Sequence, residues 1–209
     1  MLKVGLTGGV ACGKSTIGQM LVARGAHLVR ADDIAHQLMQ PGQAVYEKVR
    51  QHFGPSIVHQ DGSIDRLRLA EAAFGAGRVE ELNRIVHPAV IDYQNRWMEE
   101  TGGREPNAVV IVEAALILEA GVEGRFDRLI VVTCRAEQKA ERFAVRQKLP
   151  LDAARVEVER RSAAQVPDEE KTRAADYVID NSGDLAAAER QVDALWPELQ
   201  RLAKQQSRS

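Results

Sequence analysis

The clearest chemistry in this sequence sits in one short run near the amino terminus, Gly8-Gly9-Val10-Ala11-Cys12-Gly13-Lys14-Ser15. Two glycines at this separation, followed by Lys and Ser, let successive backbone N–H groups turn inward around an anion. A helix opening within the run adds the partial positive charge of its amino terminus. Such a cradle fits a chain of phosphates, and the run is a complete P-loop. In that setting Lys14 reaches the β- and γ-phosphates, the Ser15 hydroxyl ligates Mg2+, and Thr16 adds a hydrogen bond to the α-phosphate. The expected nucleotide contacts therefore run through Gly9, Val10, Ala11, Cys12, Gly13, Lys14, Ser15 and Thr16. Cys12 holds a variable position and reads as a small spacer rather than a reactive thiol.

A phosphate cradle names a ligand, not a reaction. A guanine-reading switch needs an Asn-Lys-x-Asp stretch, and the sequence has none. Its one Asp-x-x-Gly, Asp180 to Gly183, comes too late in the chain to be a switch element. A mechanical ATPase ends a later apolar strand in a carboxylate, and Val109-Val110-Ile111-Val112 does run into Glu113. The chain is short for the coupling elements such a machine carries. A small-molecule kinase is the better reading. Transfer to a hydroxyl then needs a carboxylate to take its proton and cations to spread the phosphoryl charge. Asp32 and Asp33 follow the second strand, at the sheet edge where open α/β folds bind ligands. Either one also suits the N-cap of a helix beginning near Ile34. Arg142 and Arg146 share one helix face at i,i+4, as a phosphoryl clamp or as a solvated ion-pair face with Glu141. Thr7, just before the loop, is a candidate hydrogen bonder near the reacting centre or simply a β-branched strand residue. Asn181, in the turn Asp180-Asn181-Ser182-Gly183, is a candidate adenine contact or a helix-starting residue.

The elements that must position these groups follow from pattern. Short apolar runs at 3–7, 26–30, 108–112, 128–133 and 176–179 alternate with helical patterns at 14–24, 137–148 and 185–202. That alternation predicts an α/β fold with a parallel sheet covered by helices on both faces. Residues 34–106 hold helical patterns and a polar turn at Asp61-Gly62 without a convincing buried strand. His87-Pro88 is expected to start the helix after Val86, and His87 is not expected to be catalytic. Residues 136–173 are charged and rich in arginine, as a pair of solvated helices or a lid over the loop.

Bulk properties narrow the class. The chain has 209 residues, 44% hydrophobic and 28% charged, which suits one sizeable soluble core. A formal net charge of −2 offers no overall field for nucleic acid or anionic lipid, and 4% aromatics argues against a base-stacking surface. Two cysteines are too few for a disulfide framework and suit a reducing compartment. No leader or membrane anchor is evident, so a cytoplasmic protein is expected. Oligomeric state is not readable.

The residues as a set resemble the dephospho-coenzyme A kinases. The likeness runs from Leu6-Thr7-Gly8-Gly9 through Thr16, then Ala31-Asp32-Asp33-Ile34-Ala35-His36, Pro41-Gly42, Phe53-Gly54, Asp61-Gly62, Leu82-Asn83 and His87-Pro88. It continues with Gln138, Arg142 and Arg146, Arg161 to Gln165, and Ala175 through Gly183. Two positions depart from the family pattern. Arg30 stands where an Asp is usual, and Glu113 to Glu119 replaces a common Pro-Leu-Leu segment, which leaves Glu113 without an assigned role. The resemblance implies a P-loop NTPase-type three-layer α/β/α fold with a five-stranded parallel sheet, a helical substrate-binding insertion and a helical lid. It divides a single domain into a core (1–33, 107–135, 174–209), the insertion (34–106) and the lid (136–173). It implies phosphorylation of the ribose 3′-hydroxyl of dephospho-CoA by ATP with Mg2+, giving coenzyme A and ADP, and no nucleic-acid or membrane partner. It places Asp32 as the base, with Lys14, Arg142 and Thr7 as the other catalytic groups. Arg146 and Asn181 join the ATP contacts, Ser15 is the metal ligand, and the insertion is the dephospho-CoA clamp.

Overall fold

The computed structural model describes residues 1–75 and 77–207. In chain order its regular elements begin with β1 (Leu2–Gly8), α1 (Lys14–Ala23), β2 (His27–Arg30), α2 (Ala31–Leu38) and α3 (Ala44–Phe53). The short α4 (Arg66–Ala70), the long α5 (Val79–Arg104), β3 (Val109–Glu113) and β4 (Arg128–Thr133) follow. The chain then forms α6 (Ala136–Gln147), α7 (Leu151–Ala163), α8 (Asp168–Ala174), β5 (Tyr177–Asp180) and α9 (Leu185–Gln206). Every expected strand is present, within a residue or two of its expected ends.

The strands form one five-stranded sheet in the order β2-β3-β1-β4-β5. β1 lies between β3 and β4, parallel to both, and β4 is parallel to β5. Central strands of a parallel sheet are covered on both faces, which is why β3 is buried at every position. On one face Leu2, Val4 and Leu6 pack with Ile111, Ile130 and Val132 against Ile17 and Leu21 of α1 and Val192 and Leu199 of α9. On the other, Leu129 and Val131 meet Ile117 and Phe126. The period of two along β4 thus sends alternate side chains into two separate cores.

The chain divides into two compact units, Met1–Leu28 with Glu100–Ser209, and Val29–Glu99. The second unit is helical, with a core of Ile34, Val45, Val49, Phe53, Ile57, Leu69, Val86 and Val90. In it the expectation for His87-Pro88 is corrected. α5 starts at Val79, and Pro88 lies inside the helix. A proline there cannot donate to the carbonyl four residues back, but Val86 and Val90 on either side of it are buried in the core. Packing of that face holds the helix through the missing bond.

The first unit contains a buried charge that no sequence pattern announced. Lys171 of α8 is fully buried, and its ammonium donates to Gln165 Oε1 at 3.0 Å and pairs with Glu119 Oε1 at 3.0 Å. Glu119 Oε1 also accepts the backbone N–H of Val166 at 2.9 Å. This cluster ties α8 and the turn before it to the segment that follows β3. Removing one partner of a buried pair strands the other, at a cost of about 3–5 kcal/mol. Lys171→Met is therefore expected to lower the unfolding free energy by that amount, read as a lower urea midpoint with the slope unchanged, and Glu119→Gln on top of it should recover part of the loss. A midpoint shift worth under about 1 kcal/mol would remove this cluster from the account.

Candidate active site

The phosphate loop is wound at two glycines where a side chain would be strained or would collide. Gly8 ends β1 opposite Val132 of β4. Its φ is 148°, and a Cβ there would sit 2.2 Å from the Val132 carbonyl oxygen. Gly13 is the N-cap of α1 with φ 93°, and its Cβ would fall 2.2 Å from Asn181 Nδ2. Between them Ala11 holds φ 55°, a left-handed conformation that costs an alanine roughly 1–2 kcal/mol. The strained turn and the start of α1 aim backbone N–H groups to one side, as an anion cradle requires.

The loop's polar side chains are held. Lys14 Nζ donates to the carbonyls of Gly8 and Gly9, both at 3.0 Å, so the ammonium lies folded across its own loop. The Ser15 hydroxyl donates to Glu113 Oε1 at 2.6 Å. Glu113 is buried at the end of β3, and this contact gives a place to a residue the sequence left unassigned. The signal was a carboxylate closing an otherwise apolar strand. Ser15 Oγ beside Glu113 forms a pair of hard oxygen donors of the kind Mg2+ takes. Among the described residues no cluster of three or more His, Cys, Asp or Glu is arranged for a metal, so the remaining ligands of such an ion would have to be phosphate oxygens and water. Thr7 is fully buried and its hydroxyl donates to the Ala115 carbonyl at 3.3 Å. Thr16 is exposed on the first turn of α1.

The charged stretch from 136 to 173 is more than a solvated face. Phe143 of α6 and Ala154 and Val158 of α7 form an apolar cluster with Val10 of the loop itself, flanked by Ala11. Arg142 reaches the loop, with Nη1 donating to the Cys12 carbonyl at 3.3 Å and Nη2 to the Asn181 carbonyl at 2.8 Å. Asn181 Nδ2 donates to the same Cys12 carbonyl at 2.8 Å, and Gln138 Nε2 donates to the Ser182 carbonyl at 2.9 Å. Asn181, buried after β5, is thus turned to the backbone of the phosphate loop. Arg146 does not share this contact. It is exposed, its guanidinium 5.5 Å from the Phe143 ring centroid, so the i,i+4 arginines do different things. Lys139 is ion-paired with Asp168 beside Gly9. Burial works against its ammonium, but Asp168 and the nearby thiols hold its pKa above the ordinary lysine value.

Asp32 belongs to the helical unit, as the second residue of α2 directly after β2. The N-cap of α2 is Arg30, and Asp32 and Asp33 both lie in its first turn, so neither aspartate caps a helix starting near Ile34. Two carboxylates there suit the positive helix end. Asp33 Oδ2 stands 3.6 Å from Arg30 Nη1, while among the described residues Asp32 has no ion-pair partner. His87 is half-buried within α5, and burial pulls its pKa below the ordinary imidazole value. The same unit has a cleft of about 480 Å3 lined in part by His36, Met39, His59, Ile64, Arg66 and Leu67.

Comparison with known proteins agrees with this geometry. The family model described as dephospho-CoA kinase matches residues 2–187. A dephospho-CoA kinase of Moorella thermoacetica is 38% identical over 202 residues, covering 96% of this chain and 93% of its own. A crystal structure from Thermus thermophilus superposes with a TM-score of 0.77 at 31% identity, covering 95% of this chain and 97% of its own. Dephospho-CoA kinase from Campylobacter jejuni superposes with a TM-score of 0.69 at 25% identity, over 95% and 97% of the two chains.

The contact of Asn181 with the Cys12 carbonyl generates a prediction. Asn181→Ala removes a buried hydrogen bond worth about 1–2 kcal/mol from the loop that must hold the triphosphate. ATP affinity by titration calorimetry should fall roughly 5- to 30-fold with the circular dichroism spectrum intact. An unchanged affinity would show that the loop keeps its shape without this bond.

Proposed function

We propose, from the premise that this chain belongs to the dephospho-CoA kinase family, a division of labour among its residues. The chain is a kinase that phosphorylates dephospho-CoA with ATP, in the last step of coenzyme A biosynthesis. The observation that carries the residue assignment is the phosphate loop with Lys14, Ser15–Glu113 and the Arg142 guanidinium gathered on it.

In this reading the loop N–H groups and Lys14 hold the β- and γ-phosphates. Lys14 exchanges its two carbonyl acceptors for phosphate oxygens. Ser15 and Glu113 would hold Mg2+, which would supply positive charge to neutralise the phosphates. The 3′-oxygen of the ribose attacks the γ-phosphorus, the bond to the β–γ bridging oxygen breaks, and ADP leaves. Asp32 takes the hydroxyl proton. That it has no ion-pair partner among the described residues, against Asp33 beside Arg30, favours it as the base. Arg142 turns from the Cys12 and Asn181 carbonyls to the transferring phosphoryl group, whose charge spreads over three oxygens. The 136–173 stretch acts as the lid that keeps water, the competing acceptor, away from that group. The helical unit receives dephospho-CoA, with its cleft offering apolar wall at Met39, Ile64 and Leu67 and positive charge at Arg66.

Dephospho-CoA should strongly stimulate ADP release, and AMP or shikimate should do little at equal concentration. Phosphorus NMR should place the new phosphate on the ribose 3′-oxygen. Stimulation by AMP equal to that by dephospho-CoA would contradict the assignment of the acceptor. Asp32→Asn should retain ATP binding and lose about 10²–10⁴-fold in single-turnover rate, with Asp33→Asn close to the parent. The reverse ranking would move the base by one residue.

A further inference from the structure

The transfer reaction leaves two thiols beside the phosphate loop without a use. β1 and β4 run parallel with Gly8 opposite Val132. The loop then turns back, with Cys12 N–H on the Gly9 carbonyl at 3.4 Å. Cys134 lies two residues beyond Val132, so the two cysteines leave neighbouring strands at the same sheet edge. Cys12 is fully buried in the core cluster under the sheet and Cys134, half-buried, packs against that cluster. Both thiols therefore sit at one apolar cluster beside the loop. A cation stands with them. The place a Gly9 Cβ would occupy is 3.1 Å from Cys12 Sγ, 3.1 Å from Lys139 Nζ and 2.9 Å from Asp168 Oδ1.

We propose that Cys12 and Cys134 form a reversible disulfide when the protein meets a hydroperoxide, and that the bonded form has lost the ATP cradle. The inference rests on the reading of residues 8–16 as that cradle. Thiolates, not thiols, attack peroxides. The neighbouring Cys134 thiol draws the Cys12 thiol down to about 7 against the effect of burial, with the Lys139 ammonium adding to the pull; for Cys134, its neighbour and burial act upward. Of the two, Cys12 is therefore the thiol that ionises first, and Cys134 stays protonated to resolve it. The Cys12 sulfur attacks one peroxide oxygen, the O–O bond breaks, and Cys12 becomes a sulfenic acid as water or an alcohol leaves. The Cys134 sulfur then attacks the Cys12 sulfur, the S–O bond breaks, and the Cys134 proton leaves with that oxygen as water. Two electrons pass from the thiols to the peroxide. A dithiol reductant returns them by exchange.

The sulfurs must close to the ~2.05 Å of a disulfide. Cys134 directly follows β4, a strand paired on both sides, so Cys12 has to move. Its carbonyl carries the bonds from Asn181 Nδ2 and Arg142 Nη1, and its N–H is held by the Gly9 carbonyl of the same loop. Closing the bond pulls on both.

The test uses the whole chain. Reduced protein is first shown to bind ATP and to turn over dephospho-CoA, so failure of the kinase reading is seen separately. It is then treated with hydrogen peroxide, alkylated and digested. The expected result is a cross-linked pair of peptides holding Cys12 and Cys134, lighter by two hydrogens, with ATP affinity lowered at least about tenfold and restored by dithiothreitol. Cys134→Ser, with Cys134→Ala as a second version, should keep the parent turnover and show no dithiothreitol-reversible loss of affinity after peroxide. Turnover lost without a 12–134 link, or a linked protein that binds ATP like the reduced one, would overturn the proposal.

Discussion

One backbone carbonyl, that of Cys12, joins the parts that make this molecule a phosphoryl-transfer site. It accepts Asn181 Nδ2 at 2.8 Å and Arg142 Nη1 at 3.3 Å. Those donors come from the turn after β5 and from α6, far from the loop in sequence. A loop bent through glycines and one left-handed alanine has little reason of its own to keep its shape. The shape is imposed by neighbours. Gly8 is pressed against the Val132 carbonyl and Gly13 against the Asn181 amide, so both ends of the cradle are set by close contacts that exclude a side chain.

The same joint gives Arg142 two possible employers. Its guanidinium serves backbone carbonyls; in the proposed division of labour, phosphate oxygens in the cradle would offer a stronger, charge-assisted alternative. Lys14 has the same choice between the Gly8 and Gly9 carbonyls and its ligand. In that proposal a chain whose formal net charge is −2 would attract a polyanion with a few cations held close to where it binds, not with an overall field.

The sequence makes the sheet readable because its strands are nearly pure apolar runs, and Val109 to Val112 could hardly be anything else in a chain of this composition. It makes the loop readable because its chemistry needs glycine at fixed separation. What was hidden depended on contacts between distant residues. Glu113 acquires meaning only once β3 is laid beside β1 and its carboxylate meets Ser15. Lys171 reads as one charge among many in a charged stretch, and only the fold buries it against Glu119 and Gln165. Arg142 and Arg146 look alike at i,i+4, but only the fold sets Arg142 on the Cys12 and Asn181 carbonyls and Arg146 near the Phe143 ring. Pro88 reads as a helix start because proline is a good first residue, but the burial of Val86 and Val90 carries the helix through it.

The central claim is that the cradle built on these contacts works on phosphate through Lys14. Dephospho-CoA-dependent ADP formation by Lys14→Ala, with its circular dichroism and thermal midpoint compared with the parent, tests that claim most directly. The account predicts a folded protein slowed by at least about 10²–10³-fold, the cost of losing one charge-stabilising group at the transition state. A folded Lys14→Ala protein with parent turnover would contradict it.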